Sequence, residues 1–374
     1  MQGETTMKIL GAVLVRSNDL RPYATSNPIH VQALDLDSPG PGELLVRIEI
    51  AGVCHSDLSV VNGSRPRPLP MLLGHEAAGI VEAIGDGVED VEVGQRVVTT
   101  FLPRCDDCRA CASGGRAPCI NGSASNAAGT LLRGGSRLHL DGVEVSHHLG
   151  VSGFATHAVV DRRSVVIVDH SVPARIAAMM GCAVLTGGGA VINSGQLLSG
   201  ETLLVLGLGG VGMSAILTGL AYNDVRVIGV DARTEKLESA RKFGAHEVYL
   251  PDDALAAGVK ADVVVEAVGS AKALESAIAL TAPGGRTVTV GLPASNEYST
   301  ISPLSLVAEG RSIIGSYMGS SIPSRDLPIF INMWREGRFP VEKLISAEIE
   351  LSGINHAMDQ LADGNALRQL IVLE

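Results

Sequence analysis

TLLVLGLGGVG, residues 202–212, decides the fold of the chain's second half. Five residues ending in Leu206 form a short apolar run of the kind that makes a buried strand. Gly207-Leu208-Gly209-Gly210-Val211-Gly212 then fits G-x-G-x-x-G, and MSAILTGLA (213–221) continues with helix-like composition. The next apolar run, VRVIGVD (225–231), ends in Asp231, 19 residues after Gly212. A strand, a glycine turn, a helix and an acid at the end of the second strand make a dinucleotide-binding fingerprint. The glycines let backbone amides approach a pyrophosphate at a helix amino terminus, and the acid accepts hydrogen bonds from a ribose. Because a carboxylate there binds a 2′-hydroxyl and repels a 2′-phosphate, the expected cofactor is NAD, although Arg233 stands close enough to soften the preference.

Outward from this motif, DVVVEAVG (262–269), RTVTVGLP (286–293) and RSIIGSYMG (311–319) are further short apolar runs. Their alternation with helix-like stretches predicts a parallel sheet covered on both faces. SRDLPIFINMWREGRF (324–339) has helical periodicity, and ALRQLIVL (366–373) reads as a closing strand. The amino-terminal half is different. KILGAVLV (8–15), ELLVRIEIAGV (43–53), AAGIVEAIG (77–85) and QRVVTTF (95–101) are Val- and Ile-rich, with turn signals between them in PGPGE (39–43) and GDGVEDVEVG (85–94).

A chain of 374 residues suits about two domains. Its net charge of -11 disfavours nucleic acid and acidic membranes as partners. MQGETTMKIL shows no basic-then-apolar secretory pattern, so a cytoplasmic location is expected. The uncharged stretch 203–221 is long enough to suggest a membrane span, but its five glycines favour a buried strand, turn and helix.

The six cysteines divide into two sets. Cys105, Cys108, Cys111 and Cys119 lie within 15 residues, close enough for four thiolates to close a tetrahedral structural zinc site. An iron–sulfur cluster is the chief alternative, but the gap of seven before Cys119 and Pro118 ahead of it do not match the bacterial ferredoxin spacing. Unligated or redox-active thiols are the remaining alternative. Cys54, in GVCHSD, and Cys182, in GCA, are far apart in sequence, as is His75 in GHE. Singly, each is an ordinary core cysteine or structural histidine.

Together with their order, GVCHSD (52–57), LLGHEAAGIVEAIGDGV (72–88), the four-cysteine loop, GCAVLTG (181–187) and GLGGVG (207–212) closely resemble the zinc-containing medium-chain dehydrogenase/reductase family over nearly the whole chain. The 119–154 stretch is similar to the class I- and class III-like alcohol dehydrogenase branch. The resemblance implies an α/β protein with a GroES-like β-rich catalytic domain, residues 1–183 and 320–374. A Rossmann doubly wound parallel-sheet domain would span 184–319, with the active site in the cleft between them. It implies two Zn2+ per chain, one structural in the cysteine loop and one catalytic on Cys54, His75 and Cys182. Glu76 would be an occasional ligand.

By the same resemblance, Ser56 accepts the alcohol proton and Asp57 orients His75. Thr186 packs on the nicotinamide and Lys236 lies near the adenosine ribose. His55 and Arg368 contact the pyrophosphate, and Phe101 and Phe154 line the alcohol pocket. The implied reaction is reversible NAD-linked oxidation of a primary or secondary alcohol through a zinc-bound alkoxide, in a homodimer or homotetramer with RSIIGSYMG as the edge strand. Two departures stand out. Ser59 occupies the position where many relatives end a proton relay in histidine. Ser123 occupies the position of an arginine that holds the glutathione adduct in the formaldehyde-oxidising branch, although Arg65 and Arg67 offer charge for another anionic substrate. The alternatives are a thiol-adduct formaldehyde dehydrogenase and a non-catalytic nucleotide-binding or lens-type structural protein. Retention of Cys54, His75 and Cys182 argues against the last.

Overall fold

A computed structural model describes residues 6–373. Residues 1–5 of MQGETTMKIL, the stretch without a secretory pattern, lie outside them. Two compact units emerge, one of Met1–Ser113, Pro118–Cys182 and Ile345–Glu374, the other of Gly114–Ala117 and Ala183–Leu344. The chain therefore rejoins the first unit at 345 and not at 320. Residues 320–344 stay with the second unit because the helix Pro323–Arg335 sets buried Phe330 over Gly188 and against buried Phe339, with ring centroids 5.7 Å apart.

In the first unit the strand Glu43–Val53 is the organising element. One edge pairs antiparallel with Ala77–Ile84. The other edge is shared between two antiparallel partners, His157–Asp161 beside its first half and Arg368–Val372 beside its second. Val46, Ile48, Ala51 and Val53 of this strand enter the unit's largest apolar core. A second sheet is built on Thr6–Leu14, paired over nine residues with Ile29–Asp37. The latter strand mixes charged and apolar residues and was not apparent from composition.

The second unit holds a six-stranded parallel sheet. Numbered along the chain within the sheet, its strands lie in the order 3-2-1-4-5-6, the doubly wound dinucleotide-binding arrangement. Thr202–Leu206 is its first strand, flanked by Arg226–Val230 and Ala261–Glu266. Stretch 203–221 is thus a strand, a turn and the helix Gly210–Leu220, mostly buried. Another helical stretch, Ala174–Ser194, is long and apolar enough to cross a membrane, but 89% of its apolar window is buried inside the protein. That is how a core helix looks.

The glycine turn is sterically specified. Gly207 has φ +93°, and a Cβ on Gly212 would stand 1.8 Å from the Gly207 carbonyl oxygen. Gly212→Ala should therefore destabilise the protein by about 1–3 kcal/mol through forced overpacking. Gly353→Ala, whose added Cβ meets only ordinary contact at 3.9 Å, should be neutral or slightly stabilising. Denaturant unfolding of both variants checks this, and equal stabilities would contradict the packing described.

Candidate active site

The CHSD tetrapeptide turns a strand end into a helix start. Cys54 caps the helix His55–Val61, and Asp57, three residues on, accepts a hydrogen bond from the Cys54 amide at 3.0 Å. This is a capping box with a thiol in the usual hydroxyl position. It fixes the Asp57 carboxylate and leaves its second oxygen for other donors. Oδ1 lies 3.0 Å from His75 Nδ1, and both side chains are fully buried. His75 must then present Nε2 on its opposite edge.

Cys182 arrives from a different part of the chain, on a π-helical stretch, Met180–Val184, inside an otherwise α-helical run. Such widened turns recur at functional sites. Its sulfur lies 3.9 Å from Cys54 Sγ and 3.4 Å from His75 Nε2. In a tetrahedral zinc site two sulfurs stand about 3.8 Å apart, and a sulfur and an imidazole nitrogen about 3.5 Å. The three groups fit the metal. A carboxylate oxygen of Glu76 completes a set of four whose ligand atoms all lie within 4.8 Å of one another.

The electrostatics match this donor set. Contact with the Cys182 sulfur holds Cys54 well below its usual range against the opposing effect of burial. Burial opposes charge on His75, but the Asp57 carboxylate outweighs it and raises the imidazole. Burial would also raise Asp57, yet His75 and His148 bring it down to about 2. Burial pushes Glu76 up to about 7, and neither of its oxygens has a hydrogen-bond partner. The nearest cation is Arg368, whose Nη2 is 3.4 Å from Glu76 Oε2 while Nη1 donates to the Val53 carbonyl at 3.2 Å. Arg368 Nε and Nη2 have no hydrogen-bond partner.

Around His75, Phe101 stands edge-on at 5.7 Å between ring centroids. Phe154 is wholly buried in the apolar core, with its backbone against Gly74. His55 is exposed and Ser56 half-buried. The Ser59 hydroxyl donates to the His55 carbonyl at 2.8 Å. His148 joins the site without a motif of its own in the sequence. It is 1% exposed, its Nδ1 is 3.1 Å from Asp57 Oδ1, and its ring meets His75 edge-on at 5.3 Å. The doubled histidine at 147–148 was the available signal. His147 is structural: its Nε2 accepts the Arg137 amide at 3.3 Å, and burial pulls it down to about 3.

The four-cysteine loop closes on itself. Cys105 and Cys111 sulfurs are 4.0 Å apart, and all four sulfurs lie within 4.8 Å of one another. Amides of Cys105 and Gly122 each donate to Cys119 Sγ at 3.3 Å. Backbone amides at Ile120 and Cys111 lower Cys108 to about 6, whereas burial drives Cys111 up to about 12. Arg104 and Arg163 brace the loop through the Cys111 and Cys105 carbonyls, each at 2.6 Å.

In the second unit, Asp231 Oδ2 accepts the Leu208 amide at 2.7 Å and Oδ1 the Arg233 amide at 2.9 Å, which ties the acid to the glycine turn. A Cβ on Gly209 would meet nothing within 4 Å, so the turn leaves open space there. Lys236 is close enough to Asp231 to feel its charge, while burial lowers its own ionisation. Thr186 is buried in the helix Leu185–Gly189.

Comparison with known proteins agrees with both units. Residues 40–170 match the alcohol dehydrogenase GroES-like domain and 210–336 the zinc-binding dehydrogenase family. A Mycobacterium tuberculosis protein named as alcohol dehydrogenase D is 33% identical over 98% of this chain and 100% of its own length. A Schizosaccharomyces pombe protein named as an S-(hydroxymethyl)glutathione dehydrogenase is 31% identical, covering 93% of this chain and 95% of its own. The crystal structure of benzyl alcohol dehydrogenase from Acinetobacter calcoaceticus is similar at a TM-score of 0.90 with 28% identity, covering 98% and 100% of the two chains. The chain belongs to the zinc-dependent alcohol dehydrogenases of the medium-chain dehydrogenase/reductase family.

Proposed function

We propose that the protein reversibly oxidises a primary or secondary alcohol to its aldehyde or ketone with NAD, as a cytoplasmic homo-oligomer carrying two zinc ions per chain. The observation that carries this reading is the buried convergence of Cys54, Cys182 and His75 at distances of 3.9 and 3.4 Å that suit one tetrahedral metal. Zinc held there supplies Lewis acidity, which lowers the pKa of an alcohol hydroxyl. Asp57 holds the His75 ring so that Nε2 faces the metal position. Ser56 receives the hydroxyl proton and hands it on, and Phe101 walls the space beside His75.

Turn amides at 207–212 receive the pyrophosphate, Asp231 the adenosine ribose, Lys236 its surroundings and Thr186 the nicotinamide. Arg233 lies 3.8 Å from Glu235, which partly occupies this cation near Asp231 and favours NAD over NADP. Cys105, Cys108, Cys111 and Cys119 hold the structural zinc. The S. pombe relative's name raises a thiol-adduct substrate, but Ser123 is an exposed uncharged side chain and offers no charge for an adduct's carboxylate. A panel of alcohols, with S-(hydroxymethyl)glutathione as one member, followed by NADH absorbance, tests the reading. Turnover of the adduct alone would replace it by the thiol-adduct alternative.

Elemental analysis should find two zinc ions per chain. Cys182→Ser should lose one together with activity, and Cys111→Ser should lose the other and lower thermal stability. Unchanged stability with lost turnover in Cys111→Ser would overturn the loop assignment. The kcat/KM for NAD should exceed that for NADP, and Asp231→Ser should narrow the gap. Equal use of both by the unmodified enzyme contradicts the role given to Asp231.

Ser56→Ala should lower turnover about 100-fold or more while NADH still binds. Ser59→His should raise alcohol oxidation near neutral pH more than at pH 9, because a terminal imidazole assists only where hydroxide is scarce. Profiles of rate against pH for both variants, taken with a deuterated alcohol, check this. Normal turnover in Ser56→Ala would mean that the proton leaves by another path.

A further inference from the structure

We propose that His148 is a positioning residue, which shares the Asp57 carboxylate with His75 and so fixes how that imidazole faces the metal. The inference rests on the assignment of Cys54, His75 and Cys182 as metal ligands. Asp57 is fully buried, and a buried carboxylate needs its lone pairs occupied. Oδ2 takes the Cys54 amide at 3.0 Å, which fixes one end of the carboxylate to the ligand-bearing helix. Oδ1 lies between two imidazole nitrogens, His75 Nδ1 at 3.0 Å and His148 Nδ1 at 3.1 Å. The His75 contact is a hydrogen bond, whereas His148 Nδ1 comes to hydrogen-bonding distance of the same oxygen without the alignment of one and is left with no other partner. His148 also packs edge-on against the His75 ring, at an interplanar angle of 86°.

His148 therefore restrains His75 twice. Its ring blocks rotation of the neighbouring imidazole, and its Nδ1 edge, 3.1 Å from Asp57 Oδ1, confines the oxygen that defines the His75 tautomer. It comes from the loop after Ser146–His147, not from either ligand-bearing helix, so it anchors Asp57 from an independent direction. Partners of this kind are commonly worth about 10–100-fold in metal affinity.

The test separates the N–H from the ring. Asn places an amide nitrogen near the position of imidazole Nδ1, Gln places it near Nε2, and Phe keeps a ring without a donor. Zinc release from holoprotein to a chromophoric chelator is the first readout, and the visible absorption bands of protein with cobalt(II) at the same site are the second. His148→Phe and His148→Gln should release the catalytic metal about tenfold faster or more and shift the cobalt bands. His148→Asn should stay within about twofold of the unmodified protein in release, with bands unmoved.

If Asn and Gln variants behave alike, or if the Phe variant releases metal at the normal rate, His148 does not position Asp57. Should His148→Phe fail to fold, the Asn and Gln pair decides. An unmodified protein that takes up no metal lost in Cys182→Ser overturns the ligand assignment itself, and His148 with it. Normal uptake with an unaffected Gln variant overturns only the role of His148.

Discussion

Burial of like charge is the constraint around which the first unit is arranged. Cys54, Cys182, Asp57 and Glu76 bring four buried acidic groups together, and Arg368 is the permanent cation beside them. A buried charge without a partner is far costlier than a buried apolar side chain. Asp57 meets that cost with the Cys54 amide and the His75 imidazole, and His148 Nδ1 stands 3.1 Å away. Glu76 meets it less well, and its rise to about 7 expresses the shortfall. The two thiols can both ionise only beside a cation, which is why a dication suits this cluster better than protons do.

The same constraint accounts for the strand order nearby. Arg368 reaches Glu76 because the chain's last strand lies against the second half of Glu43–Val53, directly before Cys54. A residue 292 positions further along the chain than Glu76 becomes its neighbour through backbone pairing. The metal cluster and the sheet are thus not separable designs: the register that sets Gln369 opposite Val53 also delivers the counter-charge.

Much of this was legible in the sequence, where local spacing carries the information. Glu43–Val53 shows as an unbroken Val/Ile-rich run, and TLLVLGLGGVG declares a strand and turn, with glycine required by conformation at Gly207 and by contact at Gly212. Four cysteines within 15 residues announce their own proximity. Less was legible where long-range packing decides. Ile29–Asp37 carries His30, Gln32 and Asp35 and owes its strand to pairing with Thr6–Leu14. The helix Pro323–Arg335 shows its periodicity but not its destination, which depends on the space over Gly188. His148 has no spacing to any other functional residue, and only the fold brings it to Asp57.

The π-helical stretch that carries Cys182 has a consequence for how the gene can vary. An α-helix advances each residue by about 100° around its axis, so one residue inserted or deleted ahead of a given position swings it more than a quarter turn. Between Ala174 and Cys182 such a change would carry the sulfur away from Cys54 and His75, however conservative the residue involved. Length is thus a constraint on this segment beyond the close packing of Gly181, whose Cβ would stand 2.0 Å from the Thr99 carbonyl oxygen, and insertions or deletions in homologous genes should be excluded from 174–182 even where other residues drift.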